Sequence, residues 1–157
     1  WDLNGRALGV PISTLLGGRY RDAIRVYADC HAGDTPDPAS WGERAAEVAA
    51  AGFTAIKFDL DVKNPYTRDI TDDPHPRRAW CEPFNRTVGP AERRWMVSVA
   101  EAVRGAIGPE VDLALDCHWK FAVPDVIALA NALEHLDLLW LEDPVPPENI
   151  AAQAKVS

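Results

Sequence analysis

Val111-Asp-Leu-Ala-Leu-Asp-Cys-His118 and Leu138-Leu-Trp-Leu-Glu-Asp-Pro144 decide how this chain is read. Each is an apolar run of strand length that ends abruptly in acid. Between them, from about Pro124, the residues Val126, Leu129, Ala130, Leu133 and Leu136 fall on one helical face. A strand, a helix and a second strand in this order make a parallel pair, with carboxylates delivered at the same end of both strands. Because side chains alternate, Val111, Leu113 and Leu115 meet the helices while Asp112, Ala114 and Asp116 turn the other way. In the second run Leu139 and Leu141 face helices and Glu142 points inward. Adjacent strands lie about 4.8 Å apart, so Asp116 and Glu142 can share one hard cation. Oxygen ligands of this kind suit magnesium, which takes one or two carboxylates together with water and substrate oxygens.

Working outward, the same unit recurs. Ile24 to His31 reads as a first strand, followed by the turn cluster Asp34-Thr-Pro-Asp-Pro38 and then Ser40-Trp-Gly-Glu43, which has the form of a capping box. Trp41, Ala45, Val48 and Ala49 share the next helical face, and Gly52 ends it. Ala55-Ile-Lys-Phe-Asp59 is a second strand with Ile56 and Phe58 on one side and Lys57 and Asp59 on the other. The polar, aperiodic stretch from Leu60 to Gly89 reads as a covering loop over a site. Pro90 opens a helix with Met96, Val99, Ala100, Val103 and Ile107 inward, and another helix begins after Pro147. Ahead of all this, Trp1 to Leu16 fits two short helices packed as a pair, the second starting near Pro11 and closed by Gly17-Gly18.

Successive strand-helix units fit either a doubly wound sheet or a (β/α)8 barrel. A doubly wound nucleotide fold calls for a glycine-rich turn after its first strand, and Asp29-Cys-His-Ala-Gly-Asp34 offers a single glycine. Barrel enzymes carry their chemistry at the C-terminal ends of several strands, where His31, Lys57, Asp59, Asp116, His118 and Glu142 all lie. The expected architecture is therefore an α/β TIM barrel. Residues 1–20 are read as the end of a preceding capping domain with its linker helices, and residues 21–157 as the first four units of the barrel. The chain opens at Trp1 inside a helix and stops soon after another begins, as a piece of a longer protein would.

Composition narrows the function classes. With 47% hydrophobic and 25% charged residues, the 157-residue chain can bury a core. Its net charge of −8, with 24 acids against 16 bases, argues against a nucleic-acid binder. No apolar run is long enough to span a bilayer and no signal peptide is evident, so neither a membrane partner nor export is expected and the cytoplasm is the expected location. Cys30, Cys81 and Cys117 are odd in number and irregularly spaced, which suggests free thiols.

Two further residues carry chemistry. His118 lies two positions past Asp116, on the same side if the strand continues. A ring with an unperturbed pKa of about 6.5 there suits proton transfer to a departing hydroxyl better than ligation at a hard oxygen site. Lys57, on a barrel strand near two acids, either pairs with one of them or contacts an anionic substrate, because an unpaired buried ammonium is costly.

Four stretches taken together carry a resemblance. They are Trp1-Asp-Leu-Asn-Gly-Arg-Ala-Leu-Gly-Val-Pro-Ile-Ser-Thr-Leu-Leu-Gly-Gly18, Gly52-Phe-Thr-Ala-Ile-Lys-Phe58, Leu113-Ala-Leu-Asp-Cys-His118 and Trp140-Leu-Glu-Asp-Pro-Val-Pro-Pro-Glu-Asn149. In this order they resemble the enolase superfamily, in its mandelate racemase and muconate lactonizing branch, and most of all its acid-sugar dehydratases of galactonate and mannonate type. The resemblance implies a lyase that removes water from a sugar acid with one Mg2+ ion, held by Asp116, Glu142 and a third ligand on a later strand. It implies His118 as the acid that helps the hydroxyl leave, Lys57 as a second catalytic candidate, and Asp59, His31 and Trp119 as substrate-binding candidates. A small-molecule sugar acid is the implied partner, and a homo-oligomer is expected of the full-length protein. Racemases of this branch often carry Lys-x-Lys on the second strand, whereas Lys57-Phe58-Asp59 stands here. A racemase or cycloisomerase on the same scaffold is the alternative enzyme, and a noncatalytic carbohydrate-binding remnant the alternative of another class. The chain by itself is expected to be inactive, because half a barrel leaves a strand edge unpaired and the metal shell incomplete.

Overall fold

Four parallel strands, each followed by helix, organise the computed structural model, which describes residues 1–33, 35, 37–62, 64–67 and 87–156. The strands are β1 (Ala28–Asp29), β2 (Ala55–Asp59), β3 (Asp112–Asp116) and β4 (Trp140–Glu142). The helices are α1 (Asp2–Leu8), α2 (Ile12–Leu15), α3 (Pro38–Ala50), α4 (Pro90–Ile107), α5 (Val123–Leu133) and α6 (Ile150–Val156). In the sheet the strands stand in chain order, β1-β2-β3-β4. A doubly wound sheet reverses its order at a switch point, and no reversal occurs among the described strands.

The sheet also curls. The rings of Tyr27, just before β1, and Trp140, in β4, meet edge to face with centroids 5.5 Å apart. Three strand spacings laid flat would separate them by about 14 Å. Only a sheet rolled toward closure brings them together, and the two rings lie on its inner face.

On the outer face, alternation buries Ile56, Phe58, Leu113 and Leu115 against the helices. Trp41, Ala45 and Val48 of α3, the stripe Met96, Val99, Ala100, Val103 and Ile107 of α4, and Val126, Leu129 and Leu133 of α5 complete one continuous core. The expected helical stripes are therefore the buried ones. Helices α3 and α4 approach most closely at Gly42, where an added Cβ would stand 2.9 Å from the carbonyl oxygen of Ala102. Alanine is ordinarily the better helix former by about 1 kcal/mol. Here the clash with backbone outweighs that gain, and Gly42→Ala is expected to destabilise the fold by about 1–2 kcal/mol. Urea unfolding checks this as a lowered midpoint.

Two arginines knit the N-terminal ends of the strands. Arg104 of α4 donates to the carbonyls of Leu136, Gly108, Val111 and Asp137, tying the entries to β3 and β4 together. Arg25 donates to the Thr54 carbonyl and hydroxyl and pairs with Asp112 at 2.6 Å.

Several expectations are corrected. The first strand does not run from Ile24 to His31; it shortens to Ala28–Asp29, with Ile24, Val26 and Tyr27 exposed. Among the described strands only β2 pairs with it, so the preceding residues have no second ladder there to hold them extended. Helix α3 is not capped by a Ser40–Glu43 box. Asp37 caps it instead, accepting from the Ala39 amide at 3.1 Å, and Ser40 donates to the same carboxylate. Pro38, with its φ preset for a first turn, starts the helix earlier than Ser40. The last strand begins at Trp140 rather than Leu138, and Leu139 is exposed, because Asp137 enters it from a left-handed conformation (φ 50°). Helices α1 and α2 form as expected but leave Leu3, Leu8 and Leu16 exposed rather than packed.

Most of the expected cover from Leu60 to Gly89, with Cys81, lies outside the described residues. Its two described ends are anchored. Buried Glu92, in the first turn of α4, accepts from Asn64 at 3.3 Å and Thr67 at 3.0 Å, and Asp125 accepts from the Val88 amide at 3.0 Å. Among the described residues, no helix is long and apolar enough to cross a membrane.

Candidate functional site

Register alone sets up the site. Asp59 stands opposite Asp116, and Asp116 opposite Glu142, so three acids form one row across the C-terminal ends of β2, β3 and β4. Alternation then turns all three to the inner face, away from the helices. Oxygens of Asp116, Glu142 and Asp143 lie within 4.8 Å of one another. Asp116 and Glu142 are therefore brought together, as the sequence led us to expect, and Asp143 joins them.

Lys57 answers that charge. Its Nζ sits 2.7 Å from Asp116 Oδ2 and 3.1 Å from Glu142 Oε2, so it bridges both acids. Burial by itself disfavours the ammonium, but its hydrogen bonds to the two carboxylates win and raise its pKa. The balance at Asp116 runs the opposite way: burial works against the carboxylate, yet Lys57 and the His118 amide hold its pKa below the usual value. At Asp143, burial followed by the charges of Asp116 and Glu142 outweighs the hydrogen bond from Trp119 and the nearby His118, and raises its carboxyl. Trp140 donates its indole N–H to Glu142 at 3.0 Å, fixing that side chain from below.

His118 reaches the site by a route different from the one expected. Strand β3 stops at Asp116, and alternation does not continue; His118 and Trp119 are left-handed, with φ of 46° and 57°. Left-handed conformations in such residues cost about 1–3 kcal/mol and cluster where function dictates geometry. The turn is held by the Asp116 carboxylate, which accepts from the His118 amide at 3.0 Å, and by the Trp119 amide donating to the Asp143 carbonyl at 2.8 Å. Asp143 is itself left-handed, with φ 46°. The outcome places His118 Nε2 3.6 Å from Asp116 Oδ2.

The proposed substrate contacts fall into two places. His31 and Asp59 do meet, with His31 Nε2 3.5 Å from Asp59 Oδ2 and 3.2 Å from Asp29 Oδ1. Burial, partly offset by the nearby histidines, raises the Asp59 carboxyl. Trp119 lies on the other side, lining a cleft of about 400 Å³ with Pro146, Pro147 and Glu148. Its indole Nε1 is buried, with the Asp143 carboxylate as the polar group nearest to it in electrostatic effect.

Asp61 and Lys120 escaped sequence reasoning. One Asp61 oxygen lies 3.1 Å from His118 Nδ1, and the second pairs with Lys120. The signal for Asp61 was present, because Asp59-Leu-Asp61 continues the alternation of β2 by one more step. Lys120 gave none, since the two left-handed residues before it break the period.

A chain-ordered, curled parallel sheet with a row of acids at its C-terminal edge defines the class: part of a (β/α) barrel, with its acids at the end where barrel enzymes carry their chemistry. The chain belongs to the enolase C-terminal domain-like family, which residues 40–157 match. It is 41% identical over 157 residues to the D-xylonate dehydratase of Haloferax volcanii, covering 99% of this chain and 35% of that protein. It is 31% identical over 160 residues to a D-galactarolactone cycloisomerase of Agrobacterium fabrum, covering 99% of this chain and 34% of that protein. Among solved structures, a mandelate racemase/muconate lactonizing enzyme-like protein from Rubrobacter xylanophilus superposes with a TM-score of 0.78 at 42% identity, over 99% of this chain and 40% of that one. The chain thus spans only between a third and two fifths of the length of these proteins.

Proposed function

We propose that this chain supplies half of the active site of a magnesium-dependent sugar-acid dehydratase. The observation that carries the reading is the convergence of Asp116 and Glu142 from adjacent strands, with a cation already drawn between them. The donor set fits a hard divalent ion: carboxylate oxygens only, from strands held in register by the sheet. Asp116 and Glu142 would hold Mg2+, and the third ligand would come from a later strand outside these residues. An ion there supplies positive charge where negative charge develops on the substrate as its α-proton leaves.

This chain's own residues do the rest. Lys57 holds Asp116 in its carboxylate form, bridges it to Glu142 and offers its ammonium to the substrate carboxylate. His118, with Nε2 facing the acids, gives a proton to the departing hydroxyl. Asp59 and His31 accept and donate to substrate hydroxyls on one side, and the Trp119 indole N–H does so on the other. The base that takes the proton beside the carboxylate belongs to the remaining strands. Residues 1–20 are the end of a capping domain, which accounts for the bare apolar faces of α1 and α2. The D-xylonate dehydratase relative, the more similar of the two named enzymes, supports elimination of water over cycloisomerisation.

The test is direct. The full-length protein is incubated with Mg2+ and a panel of five- and six-carbon aldonates, and the products are analysed for 2-keto-3-deoxy acids. Formation of such an acid from at least one aldonate is the expected result. An epimer, a rearranged lactone or no turnover of any aldonate overturns the dehydratase reading. The 157-residue chain alone is expected to form no product in the same assay.

A further inference from the structure

We infer that Asp61 is a positioning residue for His118, fixing which ring nitrogen carries the proton and which one faces the acids. Its catalytic consequence rests on the dehydratase reading above; its structural content does not.

An ionised carboxylate accepts hydrogen bonds and donates none. Asp61 has acceptors only, so at 3.1 Å the His118 nitrogen facing it, Nδ1, must be the donor. The neutral ring then keeps its lone pair on Nε2, the nitrogen 3.6 Å from Asp116 Oδ2; the doubly protonated ring is the form that gives its Nε2 proton to the departing hydroxyl, and Asp61 holds the Nδ1 proton on the neutral ring left behind. Asp61 cannot easily swing away, because Lys120 occupies its other oxygen. Its side chain is only 4% exposed, against 40% for that of His118, so a rigid acid holds a ring that reaches into open space.

The backbone under Asp61 is fastened as well. The Leu60 amide donates to the Asp116 carbonyl at 2.8 Å, extending the β2–β3 ladder beyond the strands themselves. A few residues on, Asn64 and Thr67 are tied to buried Glu92. An ion pair serving stability alone needs only Asp61 and Lys120. The second Asp61 oxygen, spent on an imidazole at the mouth of the site, is the extra feature. Outer partners of this kind orient a ring and fix its tautomer, and their loss typically costs about 10–100-fold in activity.

The experiment uses the full-length protein with 15N-labelled histidine rings. Long-range proton–nitrogen spectra are taken above the ring's titration, without metal and with Mg2+, and His118 is assigned by the signals missing from a His118→Gln variant. The expected wild-type state is protonated at Nδ1 with a free lone pair at Nε2. In Asp61→Asn that preference is lost or mixed. With a turned-over aldonate, kcat is expected to fall about 10–100-fold while KM stays close to wild type, with part of the loss restored in Asp61→Glu. A wild-type ring protonated at Nε2 overturns the inference, and does so even if Asp61→Asn fails to fold. An unchanged kcat in Asp61→Asn, or a loss of kcat with no change of tautomer, also overturns it and leaves Asp61 as half of an ion pair. If no aldonate reacts, the spectra still decide the tautomer, so failure of the dehydratase reading stands apart from failure of this one.

Discussion

Asp116→Asn in the full-length protein is expected to abolish tight Mg2+ binding and to lower dehydration by about 1,000-fold or more, equivalent to about 4 kcal/mol of lost stabilisation along the reaction path. The substitution keeps the volume and removes the charge. Asp116 sits at the middle of the row, between Asp59 and Glu142, and among the described residues it is the one acid that touches Lys57, the His118 amide and the shared oxygen cluster together. An amide in its place leaves Lys57 with Glu142 as its remaining carboxylate and presents a hard ion with a weaker donor. Breaking a buried pair by neutralising one partner ordinarily costs about 3–5 kcal/mol, so some loss of thermal stability is expected beside the loss of function. Titration calorimetry with Mg2+ separates the two: a folded variant with no heat of binding is the expected result. A variant that binds Mg2+ with wild-type affinity would remove Asp116 from the ligand set.

Trp41→Ala is expected to be the most destabilising single truncation, by about 3–5 kcal/mol. Trp41 is 2% exposed and lies where α3, β2 and the segment after β1 converge. Its ring packs against Phe58 with centroids 5.4 Å apart and stands edge-on to His31 at 6.4 Å. Its indole N–H donates to the Thr35 carbonyl at 3.3 Å. Removing it opens a cavity too deep for the neighbouring backbone to fill and frees the loop that carries His31. Urea unfolding measures the first effect. A midpoint within error of wild type would show that the α3 contact with the sheet is not needed to hold the fold.

What was legible in the sequence follows from which interactions are local. Strands β2 and β3 and the inward stripes of α4 and α5 could be read because alternation and helical periodicity are properties of neighbouring residues. The pairing of Asp116 with Glu142 was legible for the same reason, since both acids end apolar runs and a parallel register aligns such ends. Three features were not. The shortening of β1 depends on which strands flank it, a fact no window of residues contains. The cap on α3 turned on competition between Asp37 and Ser40, two good capping residues three positions apart, which Pro38 decided. The approach of His118 depended on two left-handed residues in a row, outside any pattern of alternation. His118 does lie beside Asp116, but through a left-handed turn and not through the continued alternation that was expected. Asp61 was passed over because β2 was taken to stop at Asp59, whereas its ladder continues through the Leu60 amide.

The stitching by Arg25 and Arg104 has a consequence of its own. Both guanidinium groups fasten strand entries at the pole opposite the acids, Arg104 through main-chain oxygens that any sequence would provide and Arg25 through the Thr54 carbonyl together with the Thr54 hydroxyl and the Asp112 carboxylate. Foundation and workshop therefore occupy separate floors. On the proposed function, the residues around Trp119 can change with the substrate without loosening what keeps the strands aligned, so one scaffold can diversify while its base stays the same.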